Sequence, residues 1–408
     1  MRKDLKVAVI GTGPSALMAA EIISAAGISV SIFEKRKTPA RKLLIAGSSG
    51  LNVTHDTPVV NLPSQYSGSE TFWKNIFNQF NSKDWLEFIH SLGIKTFKGT
   101  SRRFFVENMK AGMLVANWKK RIEQHNATWY FNHQVQNFHL LKSSEIELQF
   151  ENKPLQIFDA VVFCLGGASW EPPHEKIVWP KMFKDKKIGF EPFTASNVGF
   201  EVDWKPAFLK EAEGLPLKNI LLRTSKGVLQ GDLMITHYGL EGTPIYSMGV
   251  QGKAHIDLKP DLSHEQIREK LSRLKENLSP IRRIQKQLKL TDAALALLFH
   301  ETPTNELKDL SKMTERLKNF PIILKKKGNL ERAISSAGGL KLHELSSELM
   351  IHKCPGVFAA GEMLDWDTTT GGFLIQACVS QGYIAGKGVL KYLKAPKVKP
   401  RKRLQQLK

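Results

Sequence analysis

Apolar and polar positions fall into blocks along this chain, and the first block is the most regular. Residues 7–10 (VAVI) form a short apolar run suited to a strand buried on both faces. Residues 11–16 (GTGPSA) interrupt it, and an alanine-rich helical pattern runs on to Ala26, closed by Gly27. A second apolar run, 28–33, ends in Glu34. The pattern predicts strand, glycine turn, helix and strand. Further on, 69–93 reads as helical, with Phe72, Trp73, Ile76, Phe77, Trp85 and Ile89 largely on one face, and 110–125 as another amphipathic helix. Residues 128–138 and 145–150 read as a hairpin, and 158–167 (FDAVVFCLGG) as a buried strand ending in paired glycines.

From about 192 to 338 the pattern changes. Short alternating runs at 197–202, 219–223, 227–235 and 251–258 predict a small barrel or sandwich. Inside it, 263–317 turns helical, with a capping box at Ser263–Gln266 and helix starts at Ser279–Pro280 and Thr291–Asp292. The chain then returns to buried-strand character at 333–340 and 356–361. Glu362, Asp365, the pair Gly371–Gly372 and a last helix through Gln376, Val379 and Ala385 follow. The expected organisation is a first domain from 1–191 and 339–393, an insert at 192–338 with its helical part near 263–320, and a basic tail at 394–408 that stays mobile.

The opening block carries chemistry. Gly11 allows a tight turn, and Gly13 lets backbone approach a pyrophosphate that a side chain would hold away. The helix start at Pro14 and Ser15 offers free N–H groups to phosphate. Ala16 stands where a third glycine is usual, and alanine is tolerated there for close helix–strand packing. Glu34, roughly 20 residues past the first glycine, can accept from ribose hydroxyls. A bare GxGxxA is weak evidence; the strand–helix–strand–Glu setting makes it a dinucleotide site.

Other stretches leave two readings open. Residues 35–54 are basic, then apolar, then rich in small residues. The segment suits either a flexible surface loop or backbone contact with a flat ligand around 47–50, with Arg41 or Lys42 on phosphate. Gly166 offers a second backbone approach. The glycine pair before the last helix is again anion-friendly, which suggests that the C-terminal segment completes the first domain's site.

Composition narrows the class. The chain has 408 residues, 42% hydrophobic and 24% charged, as soluble globular proteins do, and no run reaches the length of a membrane span. Cys164, Cys354 and Cys378 match no zinc spacing and suit buried thiols in a reducing cytoplasm. No His/Cys/acid cluster has metal-ligand spacing. The net charge of +20 fits a generic basic surface and also a polyanion-facing role; no aromatic-interleaved basic motif of a nucleic-acid module decides between them.

With these residues in view, the chain resembles the YhiN-type NAD(P)/FAD-dependent oxidoreductases (aminoacetone oxidase and BaiN-like flavoproteins), and among them bacterial flavoproteins with a GEMLDW signature. The segments that carry this are GTGPSALMAA, RKLLIAGSSGLNVTH, LGGASW, THYGLEGTPIY, ISSAGGL and PGVFAAGEMLDWDTTTGGFLIQACVSQGYIAG, in family order over nearly the whole chain. The resemblance implies an α/β fold. Its Rossmann-like FAD-binding domain is built from both chain ends, and its insert is barrel-like with a helical part.

It also implies noncovalent FAD. The adenosine diphosphate half would lie over Gly11, Gly13, Pro14, Ser15 and Ala16, with Glu34 and Lys35 at the ribose and Val135 at the adenine. Arg41, Lys42, Leu43, Gly50, Asn52 and Thr54 match the family's second motif beside the flavin. Gly361, Glu362 and Asp365 match the ribityl and pyrophosphate region, and Gly371, Gly372, Phe373 and Leu374 the helix start under the isoalloxazine. Leu51 stands where many relatives carry Arg, which separates this chain from them in substrate.

The expected chemistry is hydride transfer through the flavin N5 to or from a small organic substrate. With one dinucleotide fingerprint in the chain, NAD(P)H as electron donor would dock transiently. An FAD-dependent enzyme acting on RNA and a flavin-binding sensor without turnover are the alternatives. His55, His237, Tyr238 and Trp366 are candidates near the substrate. None is assigned a catalytic role, and the oligomeric state stays open.

Overall fold

The computed structural model describes residues 5–47, 50–107, 110–171, 177–273 and 278–395. Ser48, Ser49 and the tail from 396 onward lie outside the described residues. The chain divides into two compact units: the described residues of 1–167, 176–193 and 337–408, and those of 168–175 and 194–336.

Unit 1 begins with β1 (Lys6–Ile10), α1 (Pro14–Ala25) and β2 (Ser29–Phe33). Each run is apolar enough to be buried, and Gly27 in the left-handed region (φ +80°) stops the helix. A short helix α2 (Arg41–Ala46) and strand β3 (Asn52–His55) follow. Residues 69–93 do not form one helix. They give α3 (Glu70–Gln79) and α4 (Ser82–Ser91), because Asn81 closes a capping box with Asp84 and restarts the chain. Next come β4 (Thr96–Lys98), β5 (Arg103–Val106), α5 (Ala111–Gln124) and β6 (Ala127–Tyr130).

The hairpin expected at 128–138 is also corrected. Asn132, at φ +55°, breaks the run, so β6 joins the parallel sheet. The rest starts β7 (Val135–Leu140), which pairs antiparallel with β8 (Ile146–Phe150), and β8 with β9 (Gln156–Phe158). After β10 (Ala160–Phe163) and α6 (Pro180–Lys184), β11 (Phe190–Ser196) leads out of the unit.

Unit 2 holds β12 (Phe200–Glu201), α7 (Pro206–Ala212), β13 (Pro216–Thr224), β14 (Gly227–Thr236), β15 (Gly239–Glu241), α8 (Thr243–Met248) and β16 (Gly252–Asp257). The helices α9 (His264–Ser272), α10 (Pro280–Leu288), α11 (Asp292–Glu301) and α12 (Leu310–Lys318) precede β17 (Phe320–Leu324). Among the described residues the antiparallel order is β12-β15-β14-β13-β16-β17. Glu201 N donates to Lys326 O (2.9 Å) and Lys325 N to Glu201 O (2.8 Å), so the last strand's continuation bonds back to the first and the sheet closes as a small barrel. Leu217, Leu222, Leu233, Ile235 and Ile256 fill it, with Ile267, Ile284, Leu297 and Leu317 from the helices in the same core.

The chain re-enters unit 1 through β18 (Ser335–Leu340), which pairs with β11, and ends in β19 (Val357–Ala359) and α13 (Phe373–Lys394). The parallel sheet among the described residues reads β19-β10-β1-β2-β6. From β1 the chain goes to β2 on one side, while β10 flanks it on the other. The turn after β1 therefore sits where strand order reverses, the usual place for a ligand in an open α/β sheet.

Candidate dinucleotide site

Unit 1 gathers its site around the N-termini of two helices, α1 and α13, which pack against each other. Their closeness is written in glycine. A Cβ on Gly382 would fall 2.3 Å from Ser15 O, and one on Gly386 2.9 Å from Ile22 Cβ, so neither position admits a side chain without moving a helix.

At the α1 end, Gly11 takes φ +106° and donates to Phe33 O (2.8 Å); a Cβ there would meet Cys164 O at 2.2 Å. Gly13 caps α1 with Pro14 at the first helical position, and a Cβ on it would meet no atom within 4 Å. Ser15 and Ala16 are buried behind it, and no side chain caps the helix. Glu34, at the tip of β2, accepts from the Thr12 hydroxyl and from Arg36 N (3.0 Å). Burial pushes its carboxyl above the ordinary range, while the Thr12 and Arg36 hydrogen bonds and the charges of Lys35 and Arg36 pull the other way. Lys35 is exposed next to it. His133 N donates to Glu34 O (2.9 Å), and Val135 starts β7 two residues later, buried. The structure thus brings Val135 to the Glu34 end.

Between the helices, Ala40 at φ +54° starts α2, with Leu43 buried and Arg41 and Lys42 half-buried. Lys42 Nζ donates to Gly167 O (2.8 Å), and a Cβ on Gly166 (φ +72°) would stand 3.9 Å from that nitrogen. Gly167 N reaches Glu362 Oε2 (3.4 Å), so Lys42, Gly166 and Glu362 converge. Gly361 donates to Gln381 Oε1 (2.7 Å); a Cβ on it would strike Ser15 Oγ at 2.4 Å. Asp365 is set apart in its charges: burial and Glu191 raise its carboxyl, and Lys341 lowers it. Gly50 takes φ +145°, and its neighbours Ser48 and Ser49 lie outside the described residues.

At the α13 end, Gly371 and Gly372 take φ +132° and +89°, and Gly372 caps the helix without a side-chain partner. A Cβ on Gly372 would fall 2.6 Å from Asn52 Oδ1 and 2.7 Å from the Thr54 backbone. Thr54 is tied in by its hydroxyl, which donates to Gln376 Oε1 (2.7 Å). Phe373 is buried; its carbonyl accepts from the Tyr66 hydroxyl (2.9 Å), and Leu374 next to it is half-buried. Asn52 Oδ1 is buried with no hydrogen-bond partner. A buried acceptor left unmatched costs about 1–3 kcal/mol unless a donor arrives. The flavin pyrimidine edge carries such a donor in its ring N–H. With the open space before Gly13 and two uncapped helix starts, these residues fit an adenine–flavin dinucleotide.

Several candidates take other roles. His55 stacks on Phe373 (5.1 Å between rings, 28°), and its Nδ1 sits 2.7 Å from Thr57 Oγ1. Burial, with Arg102 and Arg103 beside it, lowers its pKa, and a hydrogen bond to the Ser101 backbone opposes this. The ring is a brace. Trp366 does not wall a cavity: it is 2% exposed and donates to Gly361 O (3.0 Å). In unit 2, His237 lies at the surface near Glu213, and the Tyr238 and Tyr246 hydroxyls share the Glu241 carboxylate. The three cysteines are buried and free, with the Cys378 thiol pushed up to about 12 chiefly by burial. Among the described residues no group of His, Cys, Asp and Glu could hold a metal, and no helix is long and apolar enough to cross a membrane.

Sequence reasoning missed Gln376, Gln381, Tyr66 and Arg103. The two glutamines are fully buried in α13, and amides on an otherwise apolar helix face were the available signal. Arg103 gave none, since it reaches Gly371 only through the β3–β5 pairing.

Comparison with known proteins agrees with this architecture. The model of the HI0933-like protein Rossmann domain matches residues 5–388. The 3-dehydro-bile acid delta(4,6)-reductase of Clostridium scindens is 23% identical, over 94% of this chain and 98% of its own. The ribosomal RNA dihydrouridine synthase of Escherichia coli is 21% identical, over 94% and 97%. Among solved structures, the 3-ketosteroid-delta4-(5alpha)-dehydrogenase of Rhodococcus jostii RHA1 superposes with a TM-score of 0.50 at 13% identity, over 95% of this chain and 97% of that one. That likeness concerns the fold. The chain belongs to the HI0933-like Rossmann-domain family.

Proposed function

We propose that the protein binds FAD and reduces a carbon–carbon double bond conjugated to a carbonyl in a small organic substrate, with NAD(P)H as transient donor. The observation that carries this is the pair of helix starts without side-chain caps, at Gly13 and Gly372, on two helices that pack against each other in unit 1. The double-bond chemistry is taken from the names of the two relatives: a bile acid reductase and a dihydrouridine synthase both saturate such a bond.

When bound, the flavin supplies a two-electron carrier whose N5 takes and gives hydride. The chain's own residues do the rest. Glu34 accepts from the ribose, the α1 start and Lys42 hold the pyrophosphate, and the α13 start places positive partial charge where a reduced flavin is negative. Tyr66 and Thr54 fix that start through Phe373 O and Gln376.

The test follows the colour of purified protein loaded with FAD. NADH or NADPH under argon bleaches the flavin bands, and a panel of cyclic enones restores them at a rate that depends on enone concentration. A bound flavin that no nicotinamide bleaches overturns the reductase and favours a sensor. A second reading, with uracil in RNA as acceptor, is favoured by the net charge of +20. Re-oxidation by transcribed ribosomal RNA, and by no enone, selects it.

A further inference from the structure

The β3–β5–β4 sheet of unit 1 packs its first strand beside α13 and carries Arg103 at the start of β5. β3 and β5 pair with Asn52 opposite Phe105, Thr54 opposite Phe104 and His55 opposite Arg103. That register hands Arg103 to the same place as the residues touching Gly372: Arg103 Nε stands 3.8 Å from where a Cβ on Gly371 would be. His55 ties the pieces together. Its ring lies on Phe373 and holds Thr57 on one side and the Ser101 backbone, two residues before Arg103, on the other.

We propose that Arg103 is a flavin-tuning residue. Its guanidinium stands with the partial charge of the α13 N-terminus at the pyrimidine end of the isoalloxazine, and His55 positions it. This rests on the FAD reading above and on no particular substrate. Reduction of a flavin puts negative charge on its N1–C2=O edge, so a cation fixed there stabilises the reduced form more than the oxidised one. The same holds for sulfite, which adds through its sulfur lone pair to the flavin N5 and sends an electron pair into that edge. A guanidinium, planar and always charged, holds this position at every working pH.

The experiment uses FAD-loaded full-length protein and needs no substrate. Arg103→Met and Arg103→Lys are compared with the unaltered chain by sulfite titration, following loss of the flavin band, and by spectroelectrochemical titration. Arg103→Met weakens sulfite binding at least tenfold and lowers the two-electron midpoint by the equivalent, about 30 mV per tenfold. Arg103→Lys recovers most of both. Unchanged sulfite affinity and midpoint in FAD-loaded Arg103→Met overturn the proposal, as does a variant that loses FAD while its retained flavin titrates like the original. An original chain that takes up no FAD overturns the parent reading as well, so the two failures look different.

Discussion

The two helix starts of unit 1 look alike in sequence, each a glycine followed by an apolar helix, yet glycine is there for different reasons. Before α1, a Cβ on Gly13 would meet nothing within 4 Å, whereas before α13 a Cβ on Gly372 would run into Asn52 and Thr54. At Gly13 the protein leaves room for something else; at Gly372 it leaves room for itself. On the FAD reading proposed above the first is a ligand constraint, the second is a folding constraint, and conformation sharpens the contrast. Gly13 sits at φ −71°, open to any residue, while Gly372 sits at φ +89°.

The sharpest way to break this comparison is to give both positions a side chain. Gly372→Ala lowers the stability of the FAD-free protein by about 3 kcal/mol, combining overpacking with a left-handed backbone. Urea unfolding read by fluorescence of the buried Trp73, Trp85 and Trp118 checks it. An unchanged midpoint there removes the distinction. Gly13→Ser keeps a good helix cap and leaves that unfolding within about 0.5 kcal/mol of the original. It weakens FAD binding about a hundredfold, or about 2.7 kcal/mol, by calorimetric titration. A serine that binds FAD normally shows that no ligand approaches this backbone.

A smaller effect comes from Glu34. Burial raises its pKa, so between the ordinary 4.5 and the raised value the folded chain keeps a proton that the unfolded chain has released. Stability of the FAD-free protein therefore falls as pH rises through that window. The ionised form is the one that accepts ribose hydroxyls, so FAD affinity rises with pH over the same window and levels off above it. Glu34→Gln flattens this dependence and costs about tenfold in affinity, about 1.4 kcal/mol. A pH slope that survives in Glu34→Gln assigns it to another group.

The β1–α1–β2 unit was legible because its signals are local: a buried run, a glycine turn, an alanine-rich helix and a stop. The same holds for the capping box at Ser263 and the helix starts at Pro280 and Asp292. What failed was partnership. Residues 128–138 are uniformly strand-like, and only the Asn132 break and a distant partner, β2, divide them. The gathering of Lys42, Gly167 and Glu362, or of Arg103 and Gly371, depends on pairings between residues that no window along the chain contains.

The glycine contact of α1 with α13 has a consequence for biosynthesis. Ser15 rests against Gly382, and Gly361 N reaches Gln381, so the wall behind the α1 turn is supplied by elements that leave the ribosome long after it. A nascent chain holding β1, α1 and β2 has the fingerprint but not the grip. On the FAD reading, cofactor loading thereby becomes a late event, one that reports on whether two segments far apart in sequence have found each other.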